Sequence, residues 1–463
     1  MSATTSGGSG ATTDTGEPST TSAGSGDAET TSTTDAAPTS GDPSTTSGAG
    51  TTSTSGATTS DPGDPGDATG DSASDTASDT GDPEPWAPKP CPSIYAQELL
   101  PTFEIEISGS ELAALQQEWQ IADDHDLAEH PLKSFTYGDL VILDASARLR
   151  GNASHWPEQG KMQLEVSFNT YDPKGRFLGL KHVLFDAATY NRSYLRDRLA
   201  LEILRDVGVP APCANNARLV LNGEYYGLFT NIEKVDSEFL ERVFDEPDGN
   251  LYKRGGPGDW ARKNNEEDPD ESDIDALKAA DALAEVVAVM DLEEAILEWA
   301  TEAVIPDRDG AWGGGLNQYV YHHPKRGFLV IPWDLDDSFT RLPADTDPIT
   351  YQKEPESFHG RPYYDLALAD PEWFAAYIAA VDHVVTTAYN VDVLQARIDA
   401  YAAQIAQAAA DDPNRPFTLS QHLSRIAQKR TYVADRAKFL ETWLACWTGG
   451  GTDEDHDFLC EPP

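Results

Sequence analysis

The sequence predicts an α+β fold: a β-rich N-terminal lobe, a larger and mainly helical C-terminal lobe, and a disordered N-terminal tail in front of both. Three observations predict it. The stretch to Pro85 is almost entirely Ser, Thr, Gly, Asp, Ala and Pro; short alternating apolar runs cluster between Thr102 and Phe185; and helical periodicity dominates from Ser237 onward, interrupted by one hairpin.

The tail has no aromatic residue before Trp86 and no Lys or Arg before Lys89, so it holds too little apolar area to offset the entropy of ordering its backbone. It reads as a solvated, self-repelling linker over residues 1–85. Residues 86–447 are enough for one large two-lobed domain, with lobes over about 100–235 and 236–447. Residues 448–463 form a C-terminal tail that a disulfide would tie.

Along the folded part, Thr102 to Ser108 alternates as a strand, and Ser110-Glu111 opens a short helix to Trp119. Strands follow at Leu140 to Leu149, Met162 to Phe168 and Phe177 to Phe185, with a turn at Asp172-Pro173-Lys174-Gly175. A helix over Ser193 to Val207 ends at Gly208 and Pro210. Asn222-Gly223 between two apolar runs, Ala217 to Leu221 and Tyr225 to Ile232, marks a hairpin. Helices are expected at Ser237 to Val243, Ile274 to Val287 and Leu292 to Val304. A second hairpin runs Gln318 to Tyr321 and Phe328 to Pro332, and three long helices fill Pro371 to Trp447.

The formal charge is −46; the tail's 14 acidic residues account for −14 of it, leaving −32 on the rest. So acidic a surface repels nucleic acid and anionic lipid, which excludes them as partners. A polyphosphate substrate would need local positive charge from a divalent metal, Lys or Arg. No run of eighteen apolar residues exists, so no transmembrane segment is expected. Met1 leads straight into the linker with no basic or apolar signal region. A Thr/Ser/Asp stalk of this kind is what remains when a bacterial lipoprotein signal is cut away, so the expectation is an exported cell-surface or outer-membrane lipoprotein with a trimmed start. The alternative is a cytoplasmic protein with a low-complexity leader.

Cys91, Cys213, Cys446 and Cys460 are too scattered for a zinc site. In an exported chain they suggest disulfides of three possible connectivities. Cys446 with Cys460 would close a short loop, and Cys91 with Cys213 would clasp the start of the domain; four free thiols is the reading for a chain kept inside the cell.

The chemistry-bearing residues begin with Ile331-Pro332-Trp333-Asp334-Leu335-Asp336-Asp337, which ends an apolar strand. In extended chain Asp334 and Asp336 point to one side and can approach one cation with hard oxygen ligands suited to Mg²⁺ or Mn²⁺. Upstream lie Asp307-Arg308-Asp309, the run Gly313-Gly314-Gly315, and Asn317 at the hairpin start. An Asp, an Asn, a hairpin and an Asp is the order a kinase uses for base, metal-binding amide and metal-binding carboxylate. The eight residues from Asp309 to Asn317 exceed the five of the usual spacing, and the glycines permit the bulge. In the other lobe Arg150-Gly151-Asn152-Ala153-Ser154 forms a small-residue turn before Lys161, a pairing that can hold phosphate, and Glu202 on the next helix could hold that lysine.

Taken in order, Arg150-Gly151-Asn152-x-Ser154 with Lys161, Leu195-Arg196-Asp197, Asn222-Gly223-Glu224-Tyr225-Tyr226-Gly227 ending in Glu233, Asn250-Leu251-Tyr252-Lys253 and Pro332-Trp333-Asp334-Leu335-Asp336 resemble the spore coat protein H (CotH) kinase family over about Phe103 to Ala388. The resemblance implies a two-lobed, atypical protein-kinase-like fold that uses ATP and Mg²⁺ or Mn²⁺ to phosphorylate Ser or Thr of a secreted or surface protein. A monomer is expected. The resemblance also implies Asp309 as the catalytic base, Asn317, Asp334 and Asp336 at the metal, and Lys161 and Arg150 on phosphate. Glu233 would be a hinge contact to the nucleotide or a structural hydrogen-bonding group. Where the family has a more basic turn, this chain has Ala153 and Trp156-Pro157-Glu158, which leaves a catalytically inactive surface-binding module on the same fold as the alternative.

Overall fold

In extended chain, side chains two apart share a face, and the first strand shows the consequence. In β1 (Thr102–Ile107), Phe103, Ile105 and Ile107 point inward while Glu104 and Glu106 face solvent. The computed structural model describes residues 89–121, 127–151, 160–189, 191–255, 258–353, 360–453 and 458–461. The expected tail over residues 1–85 and the Asn152–Glu158 part of the expected turn lie outside these residues.

A helix, α1 (Gly109–Ile121), follows β1, and its first turn is held by Ser108 Oγ, which accepts from the Glu111 amide at 3.2 Å. Then come β2 (His130–Tyr137), β3 (Leu140–Ile142), β4 (Ser146–Leu149), β5 (Leu164–Ser167), β6 (His182–Asp186), and, after a helix, the Asn-Gly hairpin β7 (Ala214–Leu221) and β8 (Glu224–Ile232). Their order in the sheet is β1-β7-β8-β6-β5-β4-β2-β3, and β1 also pairs with β2. That extra pairing closes seven strands into a ring, with β3 attached outside it. The interior is aromatic: the rings of Phe103 and Phe135 stand 5.5 Å apart, and Phe185 meets Phe103 edge-on at 5.4 Å.

The sequence reading differs here in three places. The run Leu140 to Leu149 is two strands, because the chain turns between Ile142 and Ser146. Strand β2 was not anticipated; its Pro131 and polar alternation hide it, and it is held by the ring rather than by its own propensity. Between Phe177 and Leu180 there is only an isolated bridge, so β6 begins at His182.

The intervening helix α2 (Arg196–Asp206) is buried on nearly every side, charged residues included. After β8, Asp236 caps α3 (Ser237–Val243) by accepting from the Glu238 and Phe239 amides. A second sheet has the order β10-β9-β11-β12, from β9 (Leu251–Arg254), β10 (Trp260–Arg262) and the hairpin β11 (Gln318–His323) and β12 (Gly327–Pro332). The helices α4 (Ser272–Ala279), α5 (Leu283–Val289) and α6 (Leu292–Val304) precede that hairpin. The expected single helix over Ile274 to Val287 breaks at Ala280. Four helices complete the chain: α7 (Pro362–Leu368), α8 (Pro371–Thr387), α9 (Val391–Asp411) and α10 (Leu419–Thr448). The architecture is α+β, and no helix among the described residues is long and apolar enough to cross a membrane.

Both cysteine pairs are disulfides, Cys91–Cys213 and Cys446–Cys460, with Cα atoms 5.8 and 6.1 Å apart.

Candidate functional site

The hairpin β11–β12 brings two sequence-distant residues together at its open end. Gln318 is opposite Pro332, and one step further the Trp333 amide donates to the Asn317 carbonyl at 3.0 Å. Asp334 follows directly. Both Asn317 and Asp334 are left-handed, with φ of 42° and 59°. Asn and Asp are the non-glycine residues that tolerate this region best, and strain of this kind collects where side chains must be aimed.

The left-handed turn at Asp334 corrects one expectation. Asp334 and Asp336 are not two teeth of an extended strand, because the chain turns at Asp334 into a single 3₁₀ turn, Leu335–Asp337, that drives Leu335 into the core. The two carboxylates still feel each other: burial and then the Asp334 charge raise the Asp336 carboxyl well above the usual range. The Asp336 carbonyl is held by Arg196 at 2.5 Å.

Two further carboxylates join them, neither of them assigned a role from sequence. Asp186 ends β6 and Asp197 opens α2, fully buried. Burial, then the charges of Asp186 and Asp334, push Asp197 up to about 7. Burial and Asp186 likewise lift Asp334 to about 6, against the pull of Arg150 and Lys253, with Asp309 adding to the rise.

Facing the acids are two cations. Arg150, at the end of β4, donates to Asp186 at 2.9 Å and lies 5.8 Å over the Trp333 ring. Lys253, on β9, lies 5.5 Å over the same ring and 5.6 Å over Tyr319. Trp333 is thus a platform for both. Burial lowers Lys253 to about 8, with Asp334 opposing and Arg150 reinforcing the fall. The signal for Lys253 was its place in the Asn250–Lys253 motif; what hid its role was that β9 carries no strand pattern legible in four residues.

Asp309 lies on the loop after α6. Asp307, fully buried, accepts from the Asp309 and Gly310 amides at 2.9 and 2.8 Å, and Glu302 of α6 accepts from the Trp312 amide at 2.8 Å. Two buried carboxylates therefore shape the loop from beneath, leaving Asp309 partly exposed and ion-paired with Lys353.

Lys161 and Glu233 are engaged in buried contacts of their own, although Lys161 is near enough to Asp186 to feel its charge. Lys161 has a fully buried side chain whose Nζ donates to Asp412 at 2.6 Å and also to the Leu228 carbonyl. Its partner is not Glu202, which accepts from the Tyr401 hydroxyl at 2.6 Å. Both oxygens of Glu233 are taken by Arg242, at 2.8 and 2.7 Å, and one also accepts from the Cys213 amide at 2.9 Å. The geometry gives these two residues structural partners and no free polar atom for a phosphate or base.

A nucleotide–metal pair would be tested by this donor set. Among the described residues no three His, Cys, Asp or Glu side chains already converge as a ligand shell. The chemistry of the set nevertheless fits: buried hard carboxylate oxygens close enough to feel one another's charge, beside two cations on an aromatic platform.

Residues 147–443 match the protein family described as CotH kinase protein. The chain belongs to the CotH kinase protein family. Inner spore coat protein H of Bacillus subtilis strain 168 is 24% identical over 271 residues, covering 53% of this chain and 70% of that protein. The inner spore coat protein H-like protein of the same organism is 22% identical over 282 residues, covering 58% of this chain and 82% of that one. A solved structure, the toxin–antitoxin complex of HipA, HipB and operator DNA from Shewanella oneidensis MR-1, shares 12% identity at a TM-score of 0.30, over 61% of this chain and 64% of that chain. The match spans less than two thirds of that structure's chain, and at this score it carries no argument. The CotH match begins at Ala147, so it takes in β4 with Arg150, both sheets' site-bearing strands and the helices through most of α10.

Proposed function

We propose that this CotH-family protein is a metal-dependent phosphotransferase that moves the γ-phosphate of ATP to Ser or Thr hydroxyls of an exported or surface protein. The two sheets with their helices then serve as the two lobes of an atypical kinase-like fold. The observation that carries the reading is the apposition, around Trp333, of the Asp334 carboxylate and the cations Arg150 and Lys253, with the Asp309 charge facing Asp334.

Asn317, Asp334 and Asp336 would hold Mg²⁺ or Mn²⁺, with Asp186 and Asp197 behind them. When bound, the metal supplies charge neutralisation on the phosphates. Arg150 and Lys253 take the phosphate contacts expected of Arg150 and Lys161. Asp309 accepts the proton of the acceptor hydroxyl as its oxygen bonds to the γ-phosphorus; the bond from that phosphorus to the bridging oxygen breaks, and its electron pair leaves with the nucleoside diphosphate. Phosphoryl transfer asks little covalent chemistry of a protein, so positioning and charge suffice.

The test is transfer of labelled γ-phosphate to a Ser/Thr-rich protein acceptor with Mg²⁺ and with Mn²⁺, comparing wild type with Asp309→Ala and Asp334→Ala. Loss in both variants is expected. Equal transfer in all three proteins refutes the assignments, and no transfer in any of them favours the binding-module reading.

A further inference from the structure

The three glycines at 313–315 have a second use beyond lengthening a loop. The segment that follows the aspartates lies against them: the Lys353 amide donates to the Gly313 carbonyl at 3.0 Å, and a Cβ at Gly314 would stand 3.3 Å from Lys353 Cδ. At Gly315, with φ of +69°, a Cβ would collide with the Gly360 carbonyl. Trp312 continues the seam. Its Nε1 donates to the Pro348 carbonyl at 2.7 Å, its ring stacks on Tyr351 at 5.2 Å, and its carbonyl accepts from Arg361. Glycine lets one backbone lie flush on another.

This seam delivers a lysine to the candidate base. The Lys353 side chain is 7% exposed and its Nζ is ion-paired with Asp309 Oδ1. The other charged groups around Asp309 are Arg308, whose Nη2 is 3.8 Å away and whose Nε is occupied by Asp337 at 3.0 Å, and the carboxylates of Asp307 and Asp334. An ammonium held against one oxygen of a carboxylate fixes the orientation of the whole group.

We propose that Lys353 is a positioning residue for Asp309, and that the site is complete only while the Pro343–Lys353 segment is docked on the glycine run. The proposal rests on the reading of Asp309 as the base. Because the acceptor oxygen must lie within hydrogen-bond reach of Asp309, the docked segment also forms one wall of the acceptor's place, so its docking couples acceptor access to base alignment.

The experiment uses the full chain with Lys353→Met, Lys353→Arg, Asp309→Asn and the Lys353→Met/Asp309→Asn pair. Lys353→Gln replaces the Met variant if that fails to fold. The expected result is a kcat lower by about tenfold or more in Lys353→Met with nucleotide KM within about twofold, recovery in Lys353→Arg, and a double variant no slower than Asp309→Asn alone. Wild-type kcat in Lys353→Met, or additive losses in the double variant, overturns the proposal. A second measurement does not depend on transfer: crystal structures of nucleotide-free wild type and Lys353→Met should show the Asp309 carboxylate turned from its wild-type orientation in the variant while the Pro343–Lys353 segment stays docked on the glycine run. An unchanged Asp309 orientation overturns the positioning role. If wild type transfers no phosphate yet the orientation changes, the kinase reading fails while the Lys353–Asp309 coupling stands.

Discussion

Asn317 and Asp334 meet across the open end of one hairpin, joined through the Trp333 amide and the Asn317 carbonyl at 3.0 Å, and both take a left-handed backbone. Neither residue has the backbone of an ideal strand: the hairpin register sets their spacing, and each turns out of the strand at its end.

If the pair holds a divalent ion, Asp334→Asn and Asn317→Ala should each raise the metal concentration needed for half-maximal transfer, the aspartate change more strongly. Thermal denaturation with and without Mg²⁺ gives an independent reading, since a ligand bound only by the folded state raises its stability. Unaltered metal dependence in both variants would show that the ion is held elsewhere.

The two lysines separate site from scaffold. Lys253→Ala should lower transfer by about 10²-fold, on the scale of other single electrostatic contacts to a developing charge, and leave the melting temperature nearly unchanged. Lys161→Ala should do the reverse first: it strands Asp412 as a buried charge, a loss of about 3–5 kcal/mol of stability, readable in denaturant melts. A stable, inactive Lys161→Ala protein would return the phosphate contact to Lys161.

Glu233→Gln tests the hinge. With Arg242 engaged on both of its oxygens and the Cys213 amide on one, the substitution should destabilise by about 2–4 kcal/mol while nucleotide KM stays at its wild-type value in the folded fraction. A raised KM with intact stability would put the nucleotide at Glu233.

Stability should fall as pH rises through neutrality, and α6 is the reason. Burial, then the adjoining Glu302, raises Glu298 far above the ordinary glutamate range, and burial lifts Glu302 to about 7. A carboxyl whose folded pKa is raised contributes fully below its unfolded value of about 4.3, and that contribution is lost as pH climbs through the folded value. Glu298→Gln removes one of these ionisations. Its melting temperature should exceed wild type at pH 8 and the two should converge near pH 4.5; a difference independent of pH would rule the mechanism out.

The hairpins, the Ser237–Val243 and Leu292–Val304 helices and the three long C-terminal helices were legible, because turn chemistry and a 3.6-residue apolar stripe are local properties. The ring was not. β2 and β9 exist through their neighbours, and nothing in His130–Tyr137 or Leu251–Arg254 announces a partner dozens of residues away. At the candidate site, Asp309, Asn317, Asp334, Asp336 and Arg150 were expected from motif order, which survives in sequence. Lys161 opens a strand as a phosphate lysine would, but its burial is set by Asp412, 251 residues further on. Asp186, Asp197 and Lys353 needed the fold to bring their elements together.

That long-range partner has a consequence for how the molecule can be cut or evolve. The turn between α9 and α10 is wired into the ring: Asp412 accepts from Lys161, Tyr194 and the Leu228 amide, Asn414 donates to the Tyr226 carbonyl at 2.8 Å, and a Cβ at Gly227 would stand 2.8 Å from Asp412 Oδ1. A turn between the two long C-terminal helices therefore supplies the keystone of a β-ring begun more than three hundred residues earlier. A nascent chain stalled before Asp412 would carry an ammonium in its core with no counter-ion, and a protein shortened there by a frameshift would lose its first sheet along with its last helix.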